Sequence, residues 1–197
     1  MRLWVIAREA AWQALQQGKR LHNDRGRRAE YAWLCEQMRR RVPGYTGPSI
    51  WWAWYLLDGR GKVEPDARQR DLLHACAPGT AMVCLAVDVP EREVLLADNT
   101  LWTHVCTHGD YLAFDAQEDA AFQSLYPAPG PDAVEAILSS WGRVFTPGTW
   151  AQFDPAWLGG DARPGRNIHA TFEELREADV AGVTAFTSRQ PGLRLPG

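Results

Sequence analysis

The sequence predicts a single α+β domain with a mixed or largely antiparallel sheet and flanking helices. Predicted strands and helices follow each other without the regular β-α-β alternation of a parallel sheet, and no internal repeat is visible. The chain has 197 residues, of which 46% are hydrophobic, so it can bury a core without disulfides or a metal. We expect one domain over residues 1–188 and a flexible tail over residues 189–197.

The first part of the chain predicts a strand followed by two helices. Residues 3–7 are rich in β-branched and aromatic side chains, as in a strand. Residues 8–18 predict a helix that ends at Gly18, and residues 29–41 predict a second helix that ends in three arginines. The second helix has large side chains at positions i, i+3, i+4 and i+7, which are Tyr31, Leu34, Cys35 and Met38.

The middle of the chain predicts three strands and a short helix. Residues 49–57 are almost wholly apolar and lie between a proline and a glycine, which favours a buried strand. Asp66 is expected to cap a short helix near residues 69–76. Residues 80–90 and 91–98 predict two strands that pair with each other across a proline turn.

The last half predicts three helices and two strands. A helix is expected from residue 99 to Gly109, a short one at residues 118–125, and another that starts at residues 131–132. The third of these helices has four apolar residues on one face, which are Val134, Ile137, Leu138 and Trp141. The final strands are predicted at residues 166–172 and 182–189.

Four aromatic residues within the central strand could form core or line a pocket. They are Trp51, Trp52, Trp54 and Tyr55. Because side chains alternate along a strand, Trp52 and Trp54 are expected on one face and Trp51 and Tyr55 on the other. We expect at least one of these pairs to be purely structural.

Three histidines lie where polar chemistry could occur. His104 and His108 are spaced i, i+4 on a predicted helix, but a catalytic metal needs at least one more protein ligand, so we expect no metal. His169 and Thr171 share one face of a late predicted strand. His169 is either a buried, hydrogen-bonded histidine or part of a polar pair that faces a pocket.

Charge is unevenly distributed along the chain. Residues 1–70 contain 14 Lys and Arg against 7 Asp and Glu, whereas residues 71–197 contain 7 against 17. The arginines that could contact nucleic-acid phosphates are Arg25, Arg27, Arg28, Arg39, Arg40 and Arg41. The alternative is that these arginines are solvated and that the two parts of the chain neutralise each other, because no nucleic-acid-binding motif accompanies them.

Several well-defined motifs are absent from the sequence. It contains no G-x-G-x-x-G, Walker loop, H-E-x-x-H or G-x-S-x-G, which argues against a Rossmann enzyme, a P-loop NTPase, a zincin and an α/β-hydrolase. The four cysteines have no C-x-x-C spacing, the N-terminus lacks a signal-peptide pattern, and no apolar run has the length of a bilayer span. We therefore expect a cytoplasmic protein with reduced thiols and no membrane partner.

Several segments occur together in a characteristic order and spacing. They are LWVIA with AWQALQQG, then SIWWAWY, EPDARQR and VDVPEREVLLADNTLW, and finally SSWGRVF with NIHATFEELREADV. Together they resemble the bacterial family known as domain of unknown function 3841. Members of that family typically begin Leu-Trp-Thr-Ile-Gln, carry Pro-Ile-Trp-Ala-Trp in mid-chain and end in a Gln-Ala-Thr-Phe-Trp-Glu-Leu strand. The resemblance extends to about residue 188 and implies no established activity.

A second and more distant resemblance concerns the order of the elements. An opening strand, a helix that ends in glycine, an aromatic strand after a proline and a late strand of the form x-Ala-x-Phe-x-x-Leu follow one another. This order is similar to that of small ADP-ribosyltransferases that modify nucleic acid. In those enzymes NAD lies in a cleft between two sheets, a polar residue of the first strand holds the adenosine side, and a late-strand Glu orients the nicotinamide ribose and the acceptor.

The second resemblance implies candidate site residues for NAD chemistry. The position of the late-strand Glu aligns with His169 or Thr171, and the nearest carboxylates are Glu173 and Glu174, so these four residues are the catalytic candidates. Arg8 is the one polar candidate on the first strand for holding an NAD phosphate. The aromatic residues that could contact NAD are Trp51, Trp54 and Tyr55. Arg68 either contacts an anion or a sugar at the mouth of a cleft, and so is the last cofactor candidate, or lies exposed beyond the helix cap of Asp66.

The sequence leaves two functions open. One is an NAD-dependent, ADP-ribosyltransferase-like protein that acts on nucleic acid or protein. The other is a non-catalytic module that binds nucleic acid or a protein partner. A role in a toxin, antitoxin or anti-phage system is compatible with either, and the oligomeric state is not predicted.

Overall fold

Among the described residues, seven strands form one antiparallel sheet. The protein is seen in a computed structural model that describes residues 1–19, 21, 29–47, 49–61, 64–66, 69–70 and 76–189. In chain order the strands are β1 (Arg2–Arg8), β2 (Trp51–Leu57), β3 (Arg60–Gly61), β4 (Ala81–Asp88), β5 (Leu95–Asp98), β6 (Ile168–Phe172) and β7 (Val180–Thr187). The order across the sheet is β5-β6-β2-β1-β4-β7, and the short β3 pairs with β2 outside this path. The predicted α+β class is thereby confirmed, with a sheet that is antiparallel throughout.

Helices flank the sheet. Those seen in the described ranges are α1 (Glu9–Gln16), α2 (Ala29–Arg41), α3 (Asn99–His108), α4 (Ala116–Leu125) and α5 (Pro131–Ser140). Short 3-10 helices are seen at Glu91–Glu93, Trp141–Phe145, Pro147–Gln152 and Glu177–Asp179. Within the same ranges, no helix combines the length and the apolar character that a bilayer span requires.

The sheet consists of two halves that meet at one residue pair. β1 and β2 are in register only at Trp4 and Trp54, whereas β1 pairs with β4 over seven residue pairs and β2 pairs with β6 over five. The halves β5-β6-β2 and β1-β4-β7 are therefore each continuous, and they diverge on either side of the Trp4–Trp54 pair.

Hydrophobic side chains from both halves pack into one core on the same face of the sheet. This core includes Leu3 and Val5 of β1, Leu85 of β4, and Ala170 and Phe172 of β6, each at most 1% exposed. The side chains of the intervening strand residues point to the opposite face of the sheet. There α2, α3 and the 3-10 helix Trp141–Phe145 cover the half that contains β6, while a small cluster around Trp4 and Trp54 lies where the two halves meet.

Several local predictions are confirmed. The Asp66 carboxylate accepts a hydrogen bond from the Gln69 backbone N–H at 2.8 Å, and the Gln69 side chain accepts one from the Asp66 N–H at 3.0 Å, so the two form a capping box. Gly109 ends α3 in the left-handed conformation that favours glycine. The predicted helix beyond Arg70 falls on residues 71–75, outside the described part of the chain, and the boundary at residue 188 stays a prediction.

The predicted pairing of residues 80–90 with 91–98 is wrong. Both strands exist as β4 and β5, but β4 has β1 on one side and β7 on the other, so neither of its edges is free. After Pro90 the 3-10 helix Glu91–Glu93 carries the chain to the far edge of the sheet, where β5 pairs with β6. Nearness in sequence therefore did not decide which strands became partners.

Candidate functional site

A groove with a volume of about 230 Å³ lies where one strand from each half of the sheet ends. One wall is the connection that follows α2, at residues 42–45. The second wall follows β4, at residues 89, 92 and 93, and the third comes from the end of β6, at residues 172–174 and 176. The groove therefore brings together carboxylates and guanidinium groups that are distant in sequence.

Glu173 is the carboxylate whose position in the groove is best defined. It follows the last residue of β6, and its oxygens accept hydrogen bonds from the Thr46 hydroxyl at 3.0 Å and from the Thr46 backbone N–H at 3.2 Å. Its side chain is only partly exposed. Because two donors from one residue hold it, the carboxylate is fixed in orientation while it still borders the groove.

Gly47 provides the space that this arrangement needs. A Cβ atom at position 47 would lie 2.7 Å from the Oε1 atom of Glu173, which is closer than two such atoms can approach. The loop between α2 and β2 thus contributes both the donors of Thr46 and the absence of a side chain at Gly47. We regard this loop as the element that positions Glu173.

The other charged groups of the groove form a mixed set. The Arg176 guanidinium contacts Asp179 at 2.7 Å and Glu93 at 3.3 Å, which raises the pKa of Arg176 through the hydrogen bond to Asp179. Arg92 is 77% exposed and lies 3.5 Å from Glu93. The groove thus carries an exposed cation at its rim and the carboxylates of Glu93, Glu173 and Glu174 along its walls.

Tyr45 gives the groove an aromatic wall. Its side chain is 7% exposed, and burial raises the pKa of its hydroxyl, which lies beside the Cys35 thiol. The hydroxyl therefore stays protonated at neutral pH. Most of the Tyr45 side chain packs in the core next to the groove, and it adds no charge to the groove.

His169 and Thr171 lie in the core and do not border the groove. The His169 ring is 3% exposed and packs 4.0 Å from the Trp54 ring and 5.0 Å from the Trp52 ring, measured between centroids. Burial lowers the pKa of His169 to about 3, and its Nδ1 atom has no hydrogen-bond partner among the described residues. The Thr171 hydroxyl donates to the Leu95 carbonyl at 3.1 Å. Both side chains therefore serve packing within the sheet.

The central aromatic residues are likewise divided between cores. Trp51 packs with the core shared by both halves and donates its indole N–H to the Leu21 carbonyl at 3.1 Å, while Trp52 and Trp54 lie on the opposite face beside His169. A register shift between β2 and β6 follows Trp54, and Tyr55 contacts the cores on both faces instead of following Trp51 alone. None of these four side chains lines the groove.

Arg8 is not among the residues that line the groove. It is the exposed last residue of β1 and pairs with Met82, whereas the groove adjoins Val89, whose backbone N–H bonds to the Met1 carbonyl at the other end of β1. Arg68 lies outside the described residues.

The arginines considered for nucleic-acid contact are only partly described. Arg39 and Arg40 are exposed at the end of α2 and share the Glu36 carboxylate, at 3.3 and 2.9 Å. Arg41 bonds to the Gln37 side chain and lies 5.1 Å above the centre of the Phe145 ring. Arg25, Arg27 and Arg28 lie outside the described residues. The arginines of α2 directly precede residue 42, where the groove wall begins.

His104 and His108 are neighbours on α3. Their ring centroids are 4.4 Å apart, and Asp110 lies 3.7 Å from the His104 Nε2 atom. Burial, together with His108, lowers the pKa of His104. In the described part of the chain, no group of three or more His, Cys, Asp or Glu residues is placed to hold a metal ion.

The sequence did not single out four of the polar groove residues as site candidates. They are Tyr45, Arg92, Glu93 and Arg176. They belong to three connections separated by more than 40 residues each, so no local spacing unites them. The one available signal is that charged residues lie within five positions of the ends of β4 and β6, where side chains leave the sheet.

Comparison with known proteins gives one family. A family model described as a domain of unknown function, DUF3841, matches residues 2–181. No curated protein and no solved structure matches the chain.

Proposed function

The chain belongs to the DUF3841 family, and from its groove we propose that it is an ADP-ribosyltransferase-like protein that binds NAD and transfers ADP-ribose to nucleic acid or protein. The observation that carries the proposal is the position of Glu173. It follows the late strand β6, is oriented by Thr46, and borders a groove between the ends of β4 and β6, one strand from each half of the sheet. A bacterial, cytoplasmic setting is part of the proposal.

The charges of the groove suit NAD. The nicotinamide ring of NAD is cationic, and the carboxylates of Glu93, Glu173 and Glu174 would lower its energy in the groove. The diphosphate is anionic, and the exposed guanidinium of Arg92 at the rim is the group that would contact it. This role replaces that of Arg8, which does not line the groove.

The size of the groove indicates which part of NAD it would enclose. Sites that surround a complete drug-sized ligand usually have volumes of about 300–1,000 Å³. A groove of about 230 Å³ is therefore suited to the nicotinamide and its ribose, with Tyr45 as the aromatic wall. The adenosine part would extend along the outer surface past Arg92.

Glu173 would act on the reacting ribose. The bond between the ribose C1′ atom and the nicotinamide nitrogen breaks, nicotinamide leaves with the bonding electron pair, and the acceptor's nucleophilic atom bonds to C1′ and loses its proton. The transition state carries positive charge on the ribose, which a fixed carboxylate stabilises without having to reorganise. Fixed orientation matters more here than nucleophilic strength.

Label transfer from NAD tests the proposal. Wild-type protein is incubated with labelled NAD and with RNA, DNA or bacterial lysate, beside Glu173→Gln, which keeps shape but removes charge. Glu177→Gln is the matched control, because Glu177 is an exposed glutamate outside the groove. We expect transfer by the wild type and the control, and a decrease of about 100-fold or more for Glu173→Gln. Absence of transfer to every acceptor, with no release of nicotinamide, would reject the proposal.

A second candidate is a non-catalytic module that binds nucleic acid or a protein partner within a toxin or anti-phage system. It is favoured by the run Arg39–Arg41 at the exposed end of α2, beside the groove wall. Surface ion pairs such as those with Glu36 are weak, so phosphates could compete for these arginines. Binding of single-stranded RNA measured over a salt series tests this function, because phosphate contacts require a steep salt dependence. Affinity that does not change with salt would exclude nucleic-acid binding through these arginines.

A further inference from the structure

The strand β7 forms one edge of the sheet. Its inner neighbour is β4, and within the described residues no strand pairs with its outer side. Among the described residues, the outward N–H and C=O groups of β7 thus have no strand partner, and such an edge can pair with another strand. The opposite edge differs, since β5 has only four residues and runs directly into α3.

The sequence of β7 has few of the features that usually protect an edge. Its eight residues, VAGVTAFT, include no charged residue and no proline. A register shift with β4 occurs near its start, between Ala86 and Val87, and leaves the later residues regularly paired. Natural edge strands are commonly shortened, charged, interrupted by proline or twisted by a bulge, and here only a bulge near one end is present.

One face of β7 also exposes apolar surface. Its side chains alternate between partly buried and exposed, and the exposed set is Ala181, Val183, Ala185 and Thr187. Val183 is 44% exposed, although its partner on β4, Leu85, is 1% exposed. On the face of Val183 and Leu85, apolar side chains thus continue to the edge of the sheet, and the side chains of an added strand would pack beside them.

We propose that β7 is a dimerisation strand that pairs with β7 of a second copy of this chain. A two-fold axis perpendicular to the sheet makes the two strands antiparallel and places like residues near each other. A charged strand would repel itself in this arrangement, whereas β7 carries no charge. Two copies of β7 can therefore form both sides of the interface.

The geometry of antiparallel pairing limits the register of such a dimer. Opposed residues must face the same side of the sheet, so odd-numbered residues pair with odd-numbered residues. The two central registers place Val183 opposite Val183 of the second copy, or opposite its Ala185. Either one covers the exposed apolar face. An interface made of one strand is small, so a dissociation constant of roughly 10–100 µM is expected.

Sedimentation velocity over a range of protein concentrations tests the dimer. We expect wild-type protein to shift from monomer to dimer, and Val183→Lys to raise the dissociation constant at least about tenfold, because it places lysines together at the axis. Val134→Lys is the matched control, since Val134 is 51% exposed on α5 and should leave the dimer unchanged. Ala185→Lys, at a second exposed position of β7, provides the same readout if Val183→Lys folds poorly.

Two results would overturn the proposal. One is a wild-type protein that remains monomeric at several hundred micromolar. The other is a dimer that both β7 lysine variants leave intact, which would place the interface elsewhere. Amide hydrogen exchange gives an independent reading, because the outward N–H groups of β7 should become protected as the concentration rises, while those of α5 should not.

Discussion

His169 and Glu173 are four positions apart in sequence and have opposite surroundings. His169 lies within β6 between two tryptophan rings, where its pKa falls to about 3 because burial disfavours the charged form. Glu173 lies just beyond the end of the strand, where donors of Thr46 reach it. The sequence pointed to both as candidates, and only their distance from the strand's end separates a core residue from a groove residue.

The burial of His169 predicts that stability falls in mild acid. Its folded pKa of about 3 lies below its ordinary value of 6.5, so the unfolded chain binds the proton more tightly. The full stability is present above pH 6.5 and is lost progressively as the pH falls from 6.5 towards 3. At pH 5 this loss amounts to about 2 kcal/mol. Urea unfolding at pH 7 and pH 5 measures it.

His169→Phe isolates this contribution from those of other groups. Phenylalanine keeps a ring between Trp52 and Trp54 but does not titrate, so the drop between pH 7 and pH 5 should be smaller by about 2 kcal/mol than in the wild type. His104, whose pKa is also lowered, contributes equally to both proteins and cancels in the comparison. An identical pH dependence of the two proteins would show that His169 is not buried in the neutral form.

Gly47→Ala tests whether the orientation of Glu173 matters. The new Cβ would lie 2.7 Å from the Glu173 carboxylate, which is the movable end of its side chain and would be displaced. We expect ADP-ribosyl transfer to fall by about tenfold or more, while the free energy of unfolding changes by less than about 1 kcal/mol. Gly148→Ala is the control, because a Cβ atom at position 148 would meet no neighbouring atom within 4 Å. Equal transfer rates for both variants would show that the orientation of Glu173 does not affect the reaction.

At the scale of elements, one arginine joins α4 to the 3-10 helix Trp141–Phe145. Arg143 donates to the Glu118 carboxylate at 2.6 and 3.0 Å and to the Leu112 carbonyl at 2.5 Å, and it lies 4.0 Å from the centre of the Phe114 ring. Burial alone would raise the pKa of Glu118, but the hydrogen bonds from Arg143 and the Phe114 N–H hold it below its usual value. This network fixes α4 on the domain.

Arg143→Ala should destabilise the protein by about 2–3 kcal/mol, because it leaves a carboxylate and a carbonyl without their charged donor. Arg2→Ala is the matched control. It removes the contact between Arg2 and Asp88, whose side chains are 44% and 54% exposed, and should destabilise the protein much less, because water and salt screen an exposed ion pair. Chemical unfolding followed by circular dichroism compares the two. Equal losses would mean that the Arg143 network contributes no more than a surface ion pair.

Elements with a clear local period could be predicted from the sequence, and their partners could not. The spacing of Tyr31, Leu34, Cys35 and Met38 predicts α2, and all four side chains are buried in one core. The apolar face assigned to α5 was less informative, because Val134 and Leu138 lie at the surface while Trp141 is buried. Periodicity identifies an apolar stripe, but the position of the surrounding elements decides how much of it is covered.

At the scale of the whole molecule, the groove depends on the way the two halves of the sheet diverge. Its walls come from residues 42–45, 89–93 and 172–176, which meet only because β4 and β6 end close together. Glu173 and Glu174 could be predicted because a resemblance between families implied them. The groove residues on the other two connections share no sequence pattern with them. The candidate residues within strands β2 and β6 pack in the core, because both faces of these central strands are covered.

An NMR titration of isotope-labelled protein with NAD shows whether NAD binds in this groove. We predict saturable shifts of backbone amides at Thr46, Arg92 and Glu173, with β7 and α5 unchanged. The same titration of Glu177→Gln should reproduce these shifts. Two results would show that NAD does not bind in this groove. One is the absence of any amide response at millimolar NAD, and the other is a response only outside residues 42–47, 89–93 and 172–176.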